Sequence, residues 1–379
     1  MWMKRFTYAF GITMTVLMAL SVILPAISQN TPQTVQQQQT QPTPVPTFPP
    51  PLQPETISFD QTYLHPSGLF TIAEPTGWQA SEPLTTREGV RAVLANPDAQ
   101  SIIQVDVDKP AVETEAALTL DDVDTRFNDA WLSSSWRQYS SWNESSRERG
   151  EDDRLTIDFE LTSNNQTFVA RQEAWTDGDW IYSVRVVTPE NATNTLLYLL
   201  DGMAESLQPQ KEFAGTPFDW NAYFDTQDTH IIRYPSDWTL SDSAPGRPTS
   251  ITGTDAVLRV EAEAATTIDS EDAASAWVEA ARSGAEILSV QPVTREDNTG
   301  YAVAYSFKTV DGDSESGLAL LLNGPDDMLH VANLRFPGDS IDLNATEGQE
   351  AHSDLMSVLN SFTILPDLAN ADTGAAAAG

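Results

Sequence analysis

Two nine-residue stretches lying 160 positions apart, FTIAEPTGW at 70–78 and HIIRYPSDW at 230–238, carry a proline and a tryptophan at the same spacing. Each reads as a short strand that stops where proline withdraws its N–H from the ladder, followed by a turn that returns a tryptophan to the core. The likeness continues beyond the motif. RAVLANP at 91–97 leads through a hairpin break to SIIQVDV at 101–107, and SITGT at 250–254 leads to AVLRVEAEA at 256–264. A chain written twice must fold as something one copy of about 150 residues can bury by itself.

A helical period follows in both copies. Residues 120–136 place Val123, Phe127, Ala130 and Trp131 on one stripe, and residues 270–282 place Ala273, Ala276, Trp277 and Ala280 on another. Thr119 with Asp121 and Asp122, and Asp269 or Ser270 with Glu271 and Asp272, are the expected N-terminal caps, acidic where the helix end is positive. The period then falls to two. RLTIDFELT, QTFVARQEAW and WIYSVRVV alternate in the first copy, GYAVAYSFKTV, GLALLLNG and MLHVANLRF in the second, with turns at Asp177-Gly178 and Asp311-Gly312. A second helix closes each copy: 192–206 with Leu196, Leu199, Leu200 and Met203, and 347–361 with Ala351, Leu355, Val358 and Leu359. Strands, helix, strands, helix, given twice, predicts an α+β fold of two tandem domains, 56–209 and 216–366, each an antiparallel sheet with helices packed on it.

This arrangement resembles the PsbP-like superfamily of exported or lumenal α/β/α domains. The residues that carry the resemblance are Tyr234-Pro235-Ser236-Asp237-Trp238 and Glu74-Pro75-Thr76-Gly77-Trp78, followed by the matching element order. The first copy lacks the aromatic before its proline. The resemblance implies the fold, and it assigns no metal ligand to His65, His230, His330 or His352.

The ends read differently. Lys4 and Arg5 precede an uncharged apolar run over 6–27, and Ala26-Ile27-Ser28 offers a small-residue cleavage site, the layout of an export signal. The run also reaches the length that spans a bilayer. Residues 1–28 are therefore expected to be a signal peptide, or an anchor holding the chain by residues 6–27 on the outer face of the cytoplasmic membrane. Residues 29–55, rich in Pro, Gln and Thr and free of charge until Glu55, predict a disordered, polyproline-like stalk. Residues 367–379, ending in GAAAAG, predict a disordered tail.

From residue 55 onward, 18 basic residues face 55 acidic ones, so the body carries −37 and the whole chain −35. Such a polyanion does not seek nucleic acid, which needs clustered Lys and Arg. With no cysteine, disulfides, thiolate catalysis and Cys-ligated metals are excluded. The spread acidity is expected to serve solvation, with cation binding as the alternative.

Four histidines stand without any H-x-H, H-x-x-x-H or H-E-x-x-H spacing, and His330 and His352 read as surface or partly packed residues. Gly338-Asp339-Ser340 resembles the start of one esterase family, but Gln349 stands where that family has the Asp before its histidine, here His352. Asp311, Asp313 and Glu315 are calcium candidates by alternation, although the loop fits no EF-hand register. Trp175 and Trp180 flank a turn where a stacked pair is available, and Asn143, Asn165, Asn191 and Asn344 lie in N-x-S/T sequons. No catalytic constellation and no cofactor motif emerges. The expected function is a non-catalytic extracytoplasmic binding or assembly module whose partner is an extracellular protein or envelope component, touching membrane only through its N-terminal segment. A hydrolase with a dispersed site, or a small-ligand or cation-binding protein, is the alternative.

Overall fold

The second half of the chain repeats the strand order of the first. The computed structural model describes residues 48, 50–81, 83–110, 116–150, 152–369 and 371–372, which belong to one compact unit. In the first half β1 (Gln61–Leu64), β2 (Phe70–Glu74), β3 (Gln79–Ala80), β4 (Leu84–Thr85), β5 (Gly89–Asn96) and β6 (Ser101–Asp108) lead to helices α1 (Leu120–Arg126) and α2 (Asp129–Ser135). Strands β7 (Ser141–Arg149), β8 (Leu155–Ser163), β9 (Gln166–Thr176) and β10 (Ile181–Pro189), helix α3 (Thr193–Ser206) and β11 (Gln208–Pro209) complete it. The second half runs β12 (Asn221–Phe224), β13 (His230–Tyr234), β14 (Thr239–Leu240), β15 (Thr249–Thr252), β16 (Val257–Ala264), helix α4 (Glu271–Ala281), β17 (Glu286–Arg295), β18 (Asn298–Lys308), β19 (Ser314–Asn323) and β20 (Met328–Pro337). Helices α5 (Thr346–Ala351) and α6 (Ser353–Asn360) and strand β21 (Thr363–Ile364) follow.

The large sheets are ordered β3-β5-β6-β10-β9-β8-β7, with β4 beside β5, and β14-β15-β16-β20-β19-β18-β17; the small ones are β1-β2-β11 and β12-β13-β21. The ladders are antiparallel, as the tight turns between consecutive strands require. Both motif turns close alike: Trp78 N–H donates to the Pro75 carbonyl at 3.1 Å, and Trp238 N–H to the Pro235 carbonyl at 3.0 Å. The fold is thus the expected tandem α+β one.

Each large sheet is buried on both faces. One face of the first carries Ile103, Val105, Val107, Tyr182, Val184 and Val186 against Leu196, Leu199, Leu200 and Met203 of α3 and the small sheet. The other carries Ile157, Phe159 and Leu161 against Val123, Phe127, Leu132 and Trp136. Strand β10 lies at the centre and is buried along its whole length, which is why its sequence reads as a near-continuous apolar run. The halves also share a core, because Phe213, Phe218, Ile231, Leu368 and Ala371 pack into the first half's cluster.

Several expectations are corrected. The helix expected over 120–136 breaks at Phe127, where Asn128 caps α2 by accepting from the Ala130 and Trp131 N–H groups. Its buried stripe is Val123, Phe127, Leu132 and Trp136, whereas Ala130 is exposed. In α4 the buried positions are Ala274 and Val278, with Ala276 and Ala280 exposed. The helix expected over 347–361 breaks at His352 into α5 and α6. Two strands, β7 and β17, lie at sheet edges where polar sequence hides the alternation. Trp78 is buried as expected, but Trp238 is only half-buried and rests on Gly253, where an added Cβ would meet the indole at 2.5 Å.

The signal or anchor of 1–28 lies outside the described residues, and among the described residues no helix is long and apolar enough to cross a membrane. The stalk expected over 29–55 is described only at 48 and from 50; there Leu52 packs on the core and its carbonyl accepts from Thr195 Oγ1 at 2.5 Å, so the body begins before Thr56. The first residues of the expected tail are likewise structural. Leu368 and Ala371 are buried, and Asp372 bridges Tyr63 of β1.

Candidate binding cleft

Strand alternation gives each large sheet an outer face that mixes apolar residues with charge, and the helix after β6 or β16 covers it. In the first half Gln104 lies opposite Arg185, Arg185 opposite Gln172, and Arg91 opposite Asp106. Arg185 Nη2 donates to Gln104 Oε1 at 2.6 Å, Gln104 Nε2 to Asp106 Oδ2 at 2.6 Å, and Arg91 Nε to Asp106 Oδ1 at 2.5 Å. The Arg185 guanidinium lies 4.2 Å from the Trp136 ring centroid, a cation–π contact that closes the helices over this face. Burial pulls Arg185 down to about 10, which leaves it a cation at neutral pH. Nearby, burial first and the Asp106 charge second raise the Asp108 carboxyl, and Arg126 at 2.9 Å offsets them.

In the second half α4 covers the same face only in part. Arg259 and Asn333 form the cross-strand pair on β16 and β20 that corresponds to Gln104 and Arg185. Five residues after the helix tryptophan the first half has Trp136 and the second has Arg282. With no indole at that position, a cleft of about 520 Å³ remains between α4 and strands β15, β16 and β20. Its charged walls are Arg259, Arg282 and Arg335 with Glu261 and Glu263, and Trp277, Asn333, Ser250, Ala280 and Ala281 complete it.

These groups are fixed by one another. Arg259 grips Glu261 with both arms, Nε to Oε1 at 3.0 Å and Nη2 to Oε2 at 2.7 Å. Trp277 Nε1 donates to Glu263 Oε2 at 3.3 Å, and Tyr305 Oη to Asn333 Oδ1 at 2.6 Å, leaving the Asn333 amide nitrogen as a donor. Arg335 reaches Glu315 at 3.4 Å, and Arg282 lies 4.4 Å over the Phe307 ring. Burial, and next the like charge of Arg282, depress Arg335 below the usual guanidinium range. The cleft therefore presents donors and one flat aromatic wall, with carboxylate acceptors already oriented.

The residues singled out in the sequence fall elsewhere. Asp311 and Asp313 are exposed at the β18–β19 turn, and Glu315 on β19 is engaged by Arg335. Among the described residues no group of three or more His, Asp or Glu is placed to hold a metal ion. Ser340 is exposed in the loop after β20, and the His352 ring lies on Phe336 at 4.6 Å. Trp175 and Trp180 do not stack on each other. Both lie on Tyr182, at 5.7 and 6.4 Å, and Trp180 is buried against Phe218. Asn143, Asn165 and Asn191 are exposed, whereas Asn344 is buried and donates to the Ala302 carbonyl at 3.0 Å, which closes that sequon to modification.

His330 is fully packed, beyond the expectation of a surface or partly packed residue, with its Nδ1 3.5 Å from that of His230. Burial lowers both, and among the described residues the His230 Nε2 has no hydrogen-bond partner. His65, bonded through Nδ1 to Ser67 Oγ at 2.8 Å and through Nε2 to the Arg91 carbonyl at 3.2 Å, is pulled by burial to about 4. Sequence reasoning missed the cleft, although the alternation of Leu258 and Val260 with Arg259, Glu261 and Glu263 marks a charged face behind a core strand.

No family model matches the chain, and no curated protein matches it. Among solved structures it is similar to cyanobacterial PsbP from Synechocystis at 16% identity and a TM-score of 0.29, over 39% of this chain and 93% of that one. It is also similar to a Bacteroides thetaiotaomicron protein, at 11% identity and a TM-score of 0.27, over 44% of this chain and 53% of that one, so the chain spans about half of that protein. A third is the type VI secretion immunity protein TplEi of Pseudomonas aeruginosa in complex with "L" peptide, at 10% identity and a TM-score of 0.22, over 77% and 99%. At these TM-scores all three likenesses are weak.

Proposed function

We propose that this chain is a non-catalytic binding module, exported and displayed outside the cytoplasm, which holds a small ligand in the cleft beneath α4. The engagement of the cleft's carboxylates carries this reading: Glu261 is gripped by Arg259 and Glu263 accepts from the Trp277 indole. Acid–base hydrolysis of a glycoside needs two carboxyl groups facing each other across the scissile bond, but these two sit on one face of one strand. The volume lies within the range of about 300–1,000 Å³ typical of ligand sites. Export is supported by the apolar run over 6–27 and the uncharged proline-rich segment after it.

The test compares the full chain with Ala280→Trp, a substitution at an exposed position of α4 that fills the cleft. Both are screened by thermal shift against fractionated small molecules of the cell envelope. A fraction that raises the melting temperature of the wild type alone, with its ligand recovered chemically unchanged, is the expected result. Equal shifts for both proteins remove the cleft from the account. A ligand recovered cleaved replaces the binding reading with the hydrolase.

A further inference from the structure

Resting on the reading of the cleft as a binding site, we infer that its ligand is a carboxylated sugar, a uronic acid or an oligosaccharide ending in one. The first support is charge. Three arginines and two glutamates line the cleft, a balance of +1 on a chain whose net charge is −35. Arg259 is neutralised by Glu261, whereas Arg335 meets Glu315 only at 3.4 Å. Among the described residues no carboxylate lies within ion-pairing distance of Arg282, which lies over the Phe307 ring. Arg282 thus stands in the lining without a carboxylate partner, beside an Arg335 whose one ion pair, to Glu315, is long, and a carboxylate fits a guanidinium fork with two parallel hydrogen bonds.

The second support is the company these arginines keep. Inorganic phosphate brings more acceptors than donors, and its charged oxygens would face Glu261 and Glu263 across the same space. A carboxylate already bonded once keeps further lone pairs, so both glutamates remain acceptors for hydroxyl groups. The Asn333 amide nitrogen donates to a further hydroxyl, and Trp277 with Ala280 and Ala281 forms an apolar wall against which the C–H face of a pyranose packs. A ligand of charge −1 with neutral hydroxyl donors satisfies every group in the cleft. An acidic amino acid such as glutamate has the charge but sets an ammonium group among the arginines, where it is repelled.

The proposal is tested by calorimetric titration of the full chain with D-glucuronate, D-glucose, inorganic phosphate and L-glutamate. Saturable binding of glucuronate, absent for glucose and weaker by about tenfold or more in Arg282→Gln and Arg335→Gln, is the expected result, a factor equal to about 1.4 kcal/mol. Arg335→Lys, which keeps the charge but loses the fork, should fall between wild type and Arg335→Gln, and circular dichroism verifies that each variant is folded. Equal binding of glucose, tighter binding of phosphate or glutamate, or glucuronate binding untouched by either arginine overturns the proposal. If glucuronate fails while the cleft-dependent thermal shift described above persists, the ligand class is wrong and the binding module stands; if both fail, both readings fall.

Discussion

Arg233 Nε donates to the carbonyl oxygen of Ser67 at 2.7 Å, across 166 residues of chain and from one half of the molecule into the other. The same guanidinium, fully buried, also bonds the Thr216 hydroxyl and the carbonyls of Pro217, at 2.8 Å, and Trp220, at 3.2 Å. Among the described residues no carboxylate forms an ion pair with it, and burial pulls it to about 9 against the opposing charge of Asp219, so backbone carbonyls and one hydroxyl hold a cation between the two halves. Truncation orphans all of them. Arg233→Ala is expected to cost about 3 kcal/mol or more, by the desolvation penalty of unpaired buried acceptors. Because the halves share a core, urea unfolding of the wild type should show one transition. Two transitions in the wild type would refute the shared core.

Three buried histidines make the fold acid-sensitive. His65, His230 and His330 all have folded-state values depressed by burial, so the unfolded chain binds more protons and stability falls as pH drops from about 6.5 toward about 4. His65 contributes about 2 kcal/mol of that loss by pH 5, from about 1.4 kcal/mol for each pH unit below the unfolded value, and the His230–His330 pair adds to it in the same direction. The raised carboxyls Glu74 and Asp228 act the other way, since their stabilising protons are lost as pH rises. Melting temperatures between pH 7 and 5 should therefore fall steeply in the wild type and less in His330→Gln. An unchanged slope in that variant shows that the histidine pair is not the cause.

The two motif tryptophans should differ in cost. Trp78 is buried, and its replacement by alanine is expected to remove about 3–5 kcal/mol, the range for a truncated core aromatic. Trp238 lies half-exposed on Gly253, so Trp238→Ala should cost only about 1–2 kcal/mol. Denaturant midpoints measure both, and equal losses contradict the asymmetry.

Much of this fold was legible because hydrophobic period is local: the alternation of Leu155, Ile157, Phe159 and Leu161 announces a strand without reference to any partner. Breaks inside helices were not legible, since the Asn128 cap competes with an unbroken apolar stripe and wins by satisfying two backbone donors. The edge strand β7 escaped notice because SWNESSRER has no buried face to mark. The cleft depends on register. Arg259 meets Asn333 only through a ladder joining strands far apart in the chain, and the His230–His330 pair likewise joins residues 100 apart. No periodicity encodes such meetings.

Calcium should find no specific seat at the candidate turn. Asp311 and Asp313 point to solvent and Glu315 is held by Arg335, so titration of the full chain at near-physiological ionic strength is expected to give weak, unsaturable binding and an unchanged melting temperature. Saturable binding lost in Asp313→Asn would reverse this, because a ligand at about 100 times its dissociation constant adds about 2.7 kcal/mol.

The most direct test of the central claim follows the indole N–H of Trp277 by nuclear magnetic resonance in a chain labelled at its ten tryptophans. That N–H donates to Glu263 inside the cleft, and its signal is assigned by Trp277→Phe. Titration with the envelope fraction that stabilises the protein should move the Trp277 signal saturably while leaving those of the buried Trp136 and Trp180 in place. A stabilising ligand that leaves the Trp277 signal unmoved would contradict the account.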